Sequence, residues 1–457
     1  MAAAKRKTVW LRLLVTAAAT EALYVLLVGL SEVPPASSWG AEFYGPRVFE
    51  ATLPFYAVFV GLALLYAVAL HAVWEEPSAQ RVGDSREPIA TGVGPRRKVG
   101  HDAPTQQMKS GRSATIFIFL AAACFRLTVF PTHGFDTTRA REILEDSRAA
   151  PPLDRVLAAL ANGASSKLPR RIAPDGPLST LKLMAVASDL AALALLPGLL
   201  TNAGVPRALA LTYGWSPLAI TESAGSGHLE SVSLVFLAIA LAAAGRSHLR
   251  SAVAYGLSVS FGPVLASCLP LFTRTLKAAV LGALAVSGIG WAVWWSLGST
   301  PLGPLGALRH AVETPAGGSL LPAATALATL FVTRNPLYPI AVVLGLWAAL
   351  VLLRAVRPGL KLEHTGREAL IAIGSFLMVA PRVSPQSFVP VAFLAGFSRN
   401  PGWLVFTLTA PLGYLSAGDD NGSFWVAFPQ YFPAYAALAF FWLGRSAKSR
   451  SRPRTRA

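Results

Sequence analysis

Residues 215–230 read WSPLAITESAGSGHLE and lie between two apolar stretches, each long enough to enter a lipid bilayer. The segment carries Glu222, His228 and Glu230 beside a glycine-rich break. A carboxylate at the centre of a bilayer costs roughly 2.5–3.5 kcal/mol on insertion scales, so acids in such places usually serve a pathway or a site. We therefore predict that this segment is the functional centre of the chain, and that its glycines end one helix before the next begins.

The composition indicates a polytopic membrane protein. Of the 457 residues, 53% are hydrophobic and 14% are charged, whereas a soluble domain carries about 25% charged residues. The net charge of +17 comes from basic clusters at the termini and in short connections, where Lys and Arg set the orientation of membrane proteins. No aromatic and basic surface motif accompanies this charge, so we predict the lipid bilayer as a partner and no nucleic acid.

Apolar runs predict an all-α integral membrane fold, a polytopic bundle of about twelve transmembrane helices with both termini cytoplasmic. The predicted spans are residues 9–30, 51–73, 113–131, 178–200, 208–222, 226–245, 276–298, 338–356, 367–381, 385–398, 402–417 and 424–444. Residues 251–270 lie between two basic clusters and hold Gly262-Pro263 at their centre. This pattern favours a re-entrant hairpin that lines a site.

The predicted organisation has four parts. They are an N-terminal transmembrane hairpin (1–73), a flexible cytoplasmic loop (74–112), a transmembrane domain (113–444) with outward loops at 132–177 and 299–337, and a basic cytoplasmic tail (445–457). In this topology the segment from Glu222 to Glu230 emerges on the same side as the charged loop 132–177. That coincidence indicates a site on the outer face.

The residues of this segment are similar to a known signature. Trp215-Ser-Pro-Leu, Glu222 and Ala224-Gly-Ser-Gly-His228 resemble the "N-P-L…E…G-S-G-H" pattern of bacterial polyprenol-phosphate-dependent mannosyltransferases of the glycosyltransferase C (GT-C) superfamily. The resemblance covers most of residues 110–440. Its flanking parts are Phe125-Arg126, the stretch 183–200 with Asp189, and, more loosely, Phe428-Pro-Gln-Tyr-Phe-Pro433.

The resemblance implies a GT-C-like fold and the transfer of a sugar, mannose first, from a polyprenyl-phosphate donor to a glycolipid or cell-envelope glycan acceptor. An acid at the start of the first large loop, Asp136 here, would be the catalytic base on the acceptor hydroxyl. Glu222, His228 and Glu230 would line the substrate pocket. The donors to the carrier phosphate would come from Arg139, Arg141 and Arg382.

The sequence predicts neither a metal nor another cofactor. His228 and Glu230 are two residues apart, but no helix carries a His-Glu-x-x-His pattern, and no phosphate-cradling P-loop is present. The two cysteines, Cys124 and Cys268, lie far apart within apolar runs and indicate no disulfide framework.

Several positions depart from the family pattern. Its paired acids followed by Tyr-Arg-Tyr correspond to Asp136-Thr-Thr-Arg-Ala-Arg, and its late Pro-Trp-Tyr corresponds to Pro385-Gln-Ser-Phe388. These departures favour a second hypothesis, a non-catalytic subunit of a membrane glycolipid-processing complex. A third hypothesis, a transporter or flippase, suits buried charge and a broken hairpin, although no inverted repeat is visible.

Each candidate residue also has a structural interpretation. Asp136 precedes a helix-like stretch and fits a helix N-cap. Glu222 and His228 fit a hydrogen-bonded pair that closes a tight turn, while Glu230 and Arg382 fit interfacial positions. Asp189 follows Lys182 by seven residues and shares its helical face, which favours a polar contact between helices.

Overall fold

The computed structural model describes residues 2–31, 47–74, 103–131, 144, 152–169, 175–244, 246–272, 337–355, 362–380, 383–398, 400–416 and 423–450. Within these residues every regular element is helical and no strand is present. Residues 75–102 of the predicted loop 74–112 lie outside the described residues, whereas 103–112 are helical and form the start of a longer helix. The predicted span 276–298, residues 299–336 of the next loop, about half of the loop 132–177 and residues 451–457 of the tail also lie outside the described residues.

We number the helices of eight or more residues in chain order. They are α1 (Ala2–Ser31), α2 (Arg47–Trp74), α3 (Ala103–Val129), α4 (Pro152–Ser165), α5 (Pro177–Asn202), α6 (Glu230–Ala243), α7 (His248–Phe261), α8 (Leu337–Ala355), α9 (Leu362–Val379), α10 (Gly402–Thr409) and α11 (Ser423–Arg450). Shorter 3₁₀, α and π turns lie between them. They occupy Arg207–Ala210, Leu211–Gly214, Pro217–Ile220, Thr221–Gly225, Pro263–Cys268, Leu269–Phe272, Pro385–Phe388, Val389–Ala395 and Ala410–Ser416.

Three of the described helices are long and apolar enough to cross a bilayer. They lie at Thr8–Gly29, Tyr56–Trp74 and Pro177–Asn202, within α1, α2 and α5. Shorter apolar helices lie at Ser113–Val129, Glu230–Ala243, Val342–Arg354 and Pro385–Ala395. The all-helical fold and its apolar helices agree with a membrane protein.

Besides a buried apolar core, these helices carry well-exposed leucines on their outer surface and several ionisable side chains in their interior. Leu64 of α2 is 64% exposed and Leu353 of α8 is 69% exposed, while Arg126 and Asp189 are fully buried. A soluble protein buries its leucines and leaves its arginines in water. The combination of exposed leucines with fully buried ionisable groups is typical of a helix bundle whose outer surface meets lipid and whose ionisable groups face the bundle interior.

Several predicted spans are interrupted. The stretch predicted as one span at 208–222 is divided into a 3₁₀ turn, two four-residue helices and a π-helical turn. The reason is local: Pro217 has no N–H and starts a new helix, whose N-cap is Ser216. The break expected at Gly262-Pro263 is present, since α7 ends at Phe261 and a 3₁₀ turn begins at Pro263.

Helix α5 positions the interrupted segment. It begins at Pro177, whose fixed φ suits a first helical turn. It packs against α4, α6, α3 and the turns at 207–210 and 221–225. Trp215 is buried within this region, with its ring edge-on to those of Phe117 and Phe125 at centroid distances of 6.1 Å and 5.5 Å. The segment from 207 to 229 is therefore held by the bundle rather than by its own regular structure.

Candidate functional site

A π-helical turn from Thr221 to Gly225 places the site. The N–H of Ser226 donates to the carbonyl of Thr221 over 2.9 Å, which is the five-residue spacing of a π turn. The N–H of His228 then donates to the carbonyl of Glu222 over 3.0 Å. This wide turn brings the side chains of Glu222 and His228 to the same side, and π turns inside helices occur frequently at functional sites.

Gly227 permits the turn in two ways. Its φ is +76°, a left-handed conformation that residues with a Cβ rarely adopt. A Cβ at this position would also lie 2.9 Å from Cγ of Lys182, which passes directly beneath. The second glycine of the Gly-Ser-Gly-His block is thus required by backbone geometry and by contact with α5.

Glu222 and His228 form a buried pair. Nδ1 of His228 lies 2.7 Å from Oε2 of Glu222, and the two residues are 5% and 2% exposed respectively. The hydroxyl of Tyr414 donates to both carboxylate oxygens, at 2.9 Å and 2.8 Å. Two chain segments that are far apart in sequence therefore meet at one carboxylate.

This arrangement fixes the chemistry available to the imidazole. With Glu222 ionised, Nδ1 of His228 carries the hydrogen-bonded proton, and any proton exchanged with another group passes through Nε2. A carboxylate that orients an imidazole in this way is the base–orienter pair found in general acid–base sites. The same pair closes the turn between the π helix and α6. It therefore fits both interpretations made from the sequence, a site pair and a structural hydrogen-bonded pair.

A second buried network lies beside the first. Asp189 accepts hydrogen bonds from Nε of Arg126 and from the hydroxyls of Tyr213 and Ser223. Nη1 of Arg126 donates to the carbonyls of Ala122 and Gly214, each at 2.9 Å. Ser223 follows Glu222 directly, so the two networks join through adjacent residues of the π turn.

Lys182 supports the opposite side of the turn. Its ammonium donates to the carbonyl of Phe130 over 2.8 Å and lies 5.6 Å from the centroid of that ring. The side chain is 2% exposed. Lys182 and Asp189 lie two turns apart on α5, and the structure agrees with the shared face that their spacing indicated.

The other predicted site residues are placed as follows. Glu230 is half-buried at the start of α6, near enough to Glu222 to interact with it electrostatically. The four remaining candidates, Asp136, Arg139, Arg141 and Arg382, lie outside the described residues, so their roles stay predictions. In the part of the chain that the structure describes, the site therefore rests on Glu222, His228 and their neighbours.

Sequence reasoning missed Tyr414 and the pairing of Arg126 with Asp189. An arginine inside an apolar helix carries a signal, because a buried guanidinium needs a counter-charge, and Asp189 is an acid within the apolar stretch 183–200. Tyr414 offers no such signal: it lies 192 residues from Glu222 in sequence, and tyrosines in apolar stretches are common.

Comparison with known proteins gives no further guide. No family model matches this chain, and no curated protein or solved structure matches it.

Proposed function

We propose that this protein is a membrane glycosyltransferase that moves a sugar, mannose first, from a polyprenyl-phosphate carrier to a lipid-linked or cell-envelope glycan. The proposal includes about twelve crossings of the plasma (inner) membrane, with both termini cytoplasmic. The observation that supports it most is the buried Glu222–His228 pair, which Tyr414 holds from a distant part of the chain. Ionisable groups retained inside a membrane bundle usually serve a site.

The proposed reaction assigns a role to each group. The acceptor hydroxyl attacks the anomeric carbon of the donor sugar while the bond from that carbon to the phosphate oxygen breaks and its electrons leave with the phosphate. Asp136 takes the proton of the hydroxyl as general base. Glu222 holds His228 in a fixed orientation at the pocket, and Arg139, Arg141 and Arg382 bind the phosphate whose negative charge develops as the bond breaks.

A non-catalytic role in a glycolipid-processing complex is the second candidate. The observation that favours it is the replacement of the family's paired acids by the single carboxylate of Asp136. The complete burial of Glu222 is compatible with this role as well, because a hydrogen-bonded pair that closes a turn stabilises a fold without any chemistry.

Sugar transfer by the purified protein in liposomes separates the two. The protein is supplied with a panel of polyprenyl-phosphate sugars and a membrane-lipid acceptor extract. Asp136→Asn is expected to lower transfer by about 10²–10⁴-fold, the usual contribution of a general base. Asp175→Asn, an exposed carboxylate in the same predicted loop, is the matched control and is expected to leave transfer unchanged.

The outcomes are distinct. If transfer survives Asp136→Asn, the protein is an enzyme whose general base is another residue, and Glu222 is the next residue to replace. A folded wild-type protein that transfers no sugar from any donor refutes the enzyme and supports the non-catalytic subunit.

A further inference from the structure

Two buried glutamines lie beside the segment that carries Tyr414. Gln430 is fully buried and Gln386 is 2% exposed. Within the described residues, neither Oε1 nor Nε2 of Gln430 has a hydrogen-bond partner, and the same holds for Oε1 of Gln386. Buried amides are paired in native proteins in the great majority of cases, so unpaired ones require an explanation.

The side-chain amide of Gln430 packs against Gly413. A Cβ at residue 413 would lie 3.4 Å from Nε2 of Gln430, 3.5 Å from its Oε1 and 3.3 Å from Cγ of Pro385. The backbone carbonyl of Gln430 accepts a hydrogen bond from Thr409 over 2.6 Å, which anchors the residue. The amide therefore lies against the bare backbone of the residue that precedes Tyr414.

These contacts connect the amides to the site. Tyr414 donates to Glu222, and Gln386 directly follows Pro385, which lies near Gly413. The turn Pro385–Phe388 packs against both Ala410–Ser416 and Pro217–Ile220, the helix that leads into Glu222. The Gln430 amide thus lies against Gly413, the residue before Tyr414, and the hydroxyl of Tyr414 reaches Glu222.

The unpaired atoms select the chemistry of a ligand. They comprise two carbonyl oxygens and one NH₂ group, so they accept and donate without any charge. A phosphate offers only acceptors and is bound best by Arg or Lys, and a hard cation prefers carboxylates. A hydroxyl both donates and accepts, so neighbouring hydroxyls on one ring match this set.

We propose that Gln430 and Gln386 form a subsite for the hydroxyl groups of a glycosyl headgroup, beside the segment that carries Tyr414. This subsite rests on the proposed function, because it would hold the sugar of the donor lipid rather than its phosphate. The amides are covered in the structure, so a ligand reaches them after the covering segments open. The hydrogen bonds that the amides then gain offset part of the cost of that opening.

The subsite is tested by binding, without reliance on turnover. Wild-type protein in nanodiscs is titrated with a polyprenyl-phosphate monosaccharide and with the same polyprenyl phosphate lacking the sugar. The wild type is expected to prefer the sugar-bearing lipid. Gln430→Met and Gln386→Met each are expected to weaken binding of that lipid by about tenfold through the loss of hydrogen bonds, and to leave binding of the bare lipid unchanged.

Stability supplies a second readout. Replacing an unpaired buried amide by a side chain of similar shape removes no hydrogen bond from the free protein, so Gln430→Met is expected to keep or raise the thermal midpoint. Thr407→Val is the matched control: Thr407 is buried in α10, bonds to the carbonyl of Leu404 within its own helix over 2.8 Å, and lies outside the proposed subsite. It is expected to bind both lipids as the wild type does.

Several results would overturn the subsite. They are a wild type without preference for the sugar-bearing lipid, variants that weaken both lipids equally, and a Gln430→Met protein that is destabilised or fails to fold, which would identify a structural amide. The transfer assay separates this failure from that of the proposed function. If the protein transfers no sugar but its preference for the sugar-bearing lipid is lost in the glutamine variants, the enzyme is refuted and the subsite stands. If the protein transfers sugar but the glutamine variants keep the wild-type preference, the subsite is refuted and the enzyme stands.

Discussion

Asp189→Asn tests whether the buried network around Arg126 holds the site region together. The substitution removes the counter-charge of a fully buried guanidinium. Tyr213 donates to Oδ1 of Asp189, whereas Ser223 and Nε of Arg126 donate to Oδ2. The substitution replaces one of these oxygens by an NH₂ group, so at least one of the donors loses its acceptor. Both effects lower the stability of the folded state.

The contacts of Arg126 set the size of the effect. Removing one partner of a buried ion pair costs about 3–5 kcal/mol. Nη1 of Arg126 keeps its bonds to the carbonyls of Ala122 and Gly214, and Ser223 keeps its bond to the carbonyl of Ala219 at 2.8 Å. These remaining bonds place the expected loss of unfolding free energy near the lower limit, at about 3 kcal/mol.

Equilibrium unfolding of the protein in mixed micelles, followed by tryptophan fluorescence, measures this loss. Trp215 is 1% exposed and lies next to the network, so it contributes to the change in emission on unfolding together with the other ten tryptophans of the chain. Asp175→Asn is the exposed control. The double variant Arg126→Leu/Asp189→Leu removes both charges and is expected to be more stable than Asp189→Asn, because no unpaired charge stays buried.

Two results would refute this reasoning. If Asp189→Asn lowers the free energy of unfolding by less than about 1 kcal/mol, the Arg126–Asp189 pair contributes no more than an exposed surface ion pair does. A double variant that loses as much as the sum of Arg126→Leu and Asp189→Leu, each measured alone, would show that the two side chains do not interact.

Three further substitutions test the geometry of the site by the same unfolding measurement. Gly227→Ala is expected to cost about 1–3 kcal/mol, since alanine meets both the left-handed backbone and the side chain of Lys182; wild-type stability would contradict the positive φ. Tyr414→Phe is expected to cost about 1.5–3 kcal/mol, the range for hydrogen bonds to a charged group, and no loss would mean that the tyrosine does not hold Glu222. Ser258→Ala removes a 2.8 Å hydrogen bond to the carbonyl of Ser233 between α6 and α7. It is expected to lower the free energy of unfolding by only about 0.6 kcal/mol. A loss as large as that of Tyr414→Phe would show that neutral and charged acceptors contribute equally here.

The parts of the fold that follow from local pattern were predictable from the sequence. The all-helical class follows from apolar runs, and the break after Phe261 follows from a glycine before a proline, which has no N–H to continue a helix. The shared face of Lys182 and Asp189 follows from their spacing on α5. Each of these inferences needs only residues within a few turns of one another.

The interrupted helices show where local pattern fails. Residues 208–222 have the composition of a span, yet the chain turns at Trp215 and Ser216 because Pro217 begins a new helix. Hydropathy records how apolar a stretch is, and it does not distinguish one helix that faces lipid from several short turns that are buried in protein. Almost every residue from 208 to 229 is buried. The apolar side chains of this stretch are therefore covered by protein rather than by lipid.

The site itself was predictable in part. The pairing of Glu222 with His228 follows from a six-residue separation across a glycine-rich turn. The contact with Tyr414 and the pairing of Arg126 with Asp189 join residues 192 and 63 positions apart, and such contacts depend on how the helices pack. The unpaired amides at Gln430 and Gln386 carry no pattern in the sequence, since their significance lies in the hydrogen bonds that neighbouring residues do not make.

The interrupted segment gains from its neighbours the order that a regular helix would have supplied. Asp189 holds Ser223 on one side of Glu222, and Lys182 lies beneath Gly227 next to His228, so α5 supports both ends of the π turn. Tyr414 fixes the carboxylate from a third direction. A side chain held by several buried hydrogen bonds loses little conformational entropy when a ligand binds, which is the advantage of a preorganised site. The buried ion pair at Asp189 therefore contributes to the orientation of Glu222 through one intervening residue, even if it never contacts a substrate.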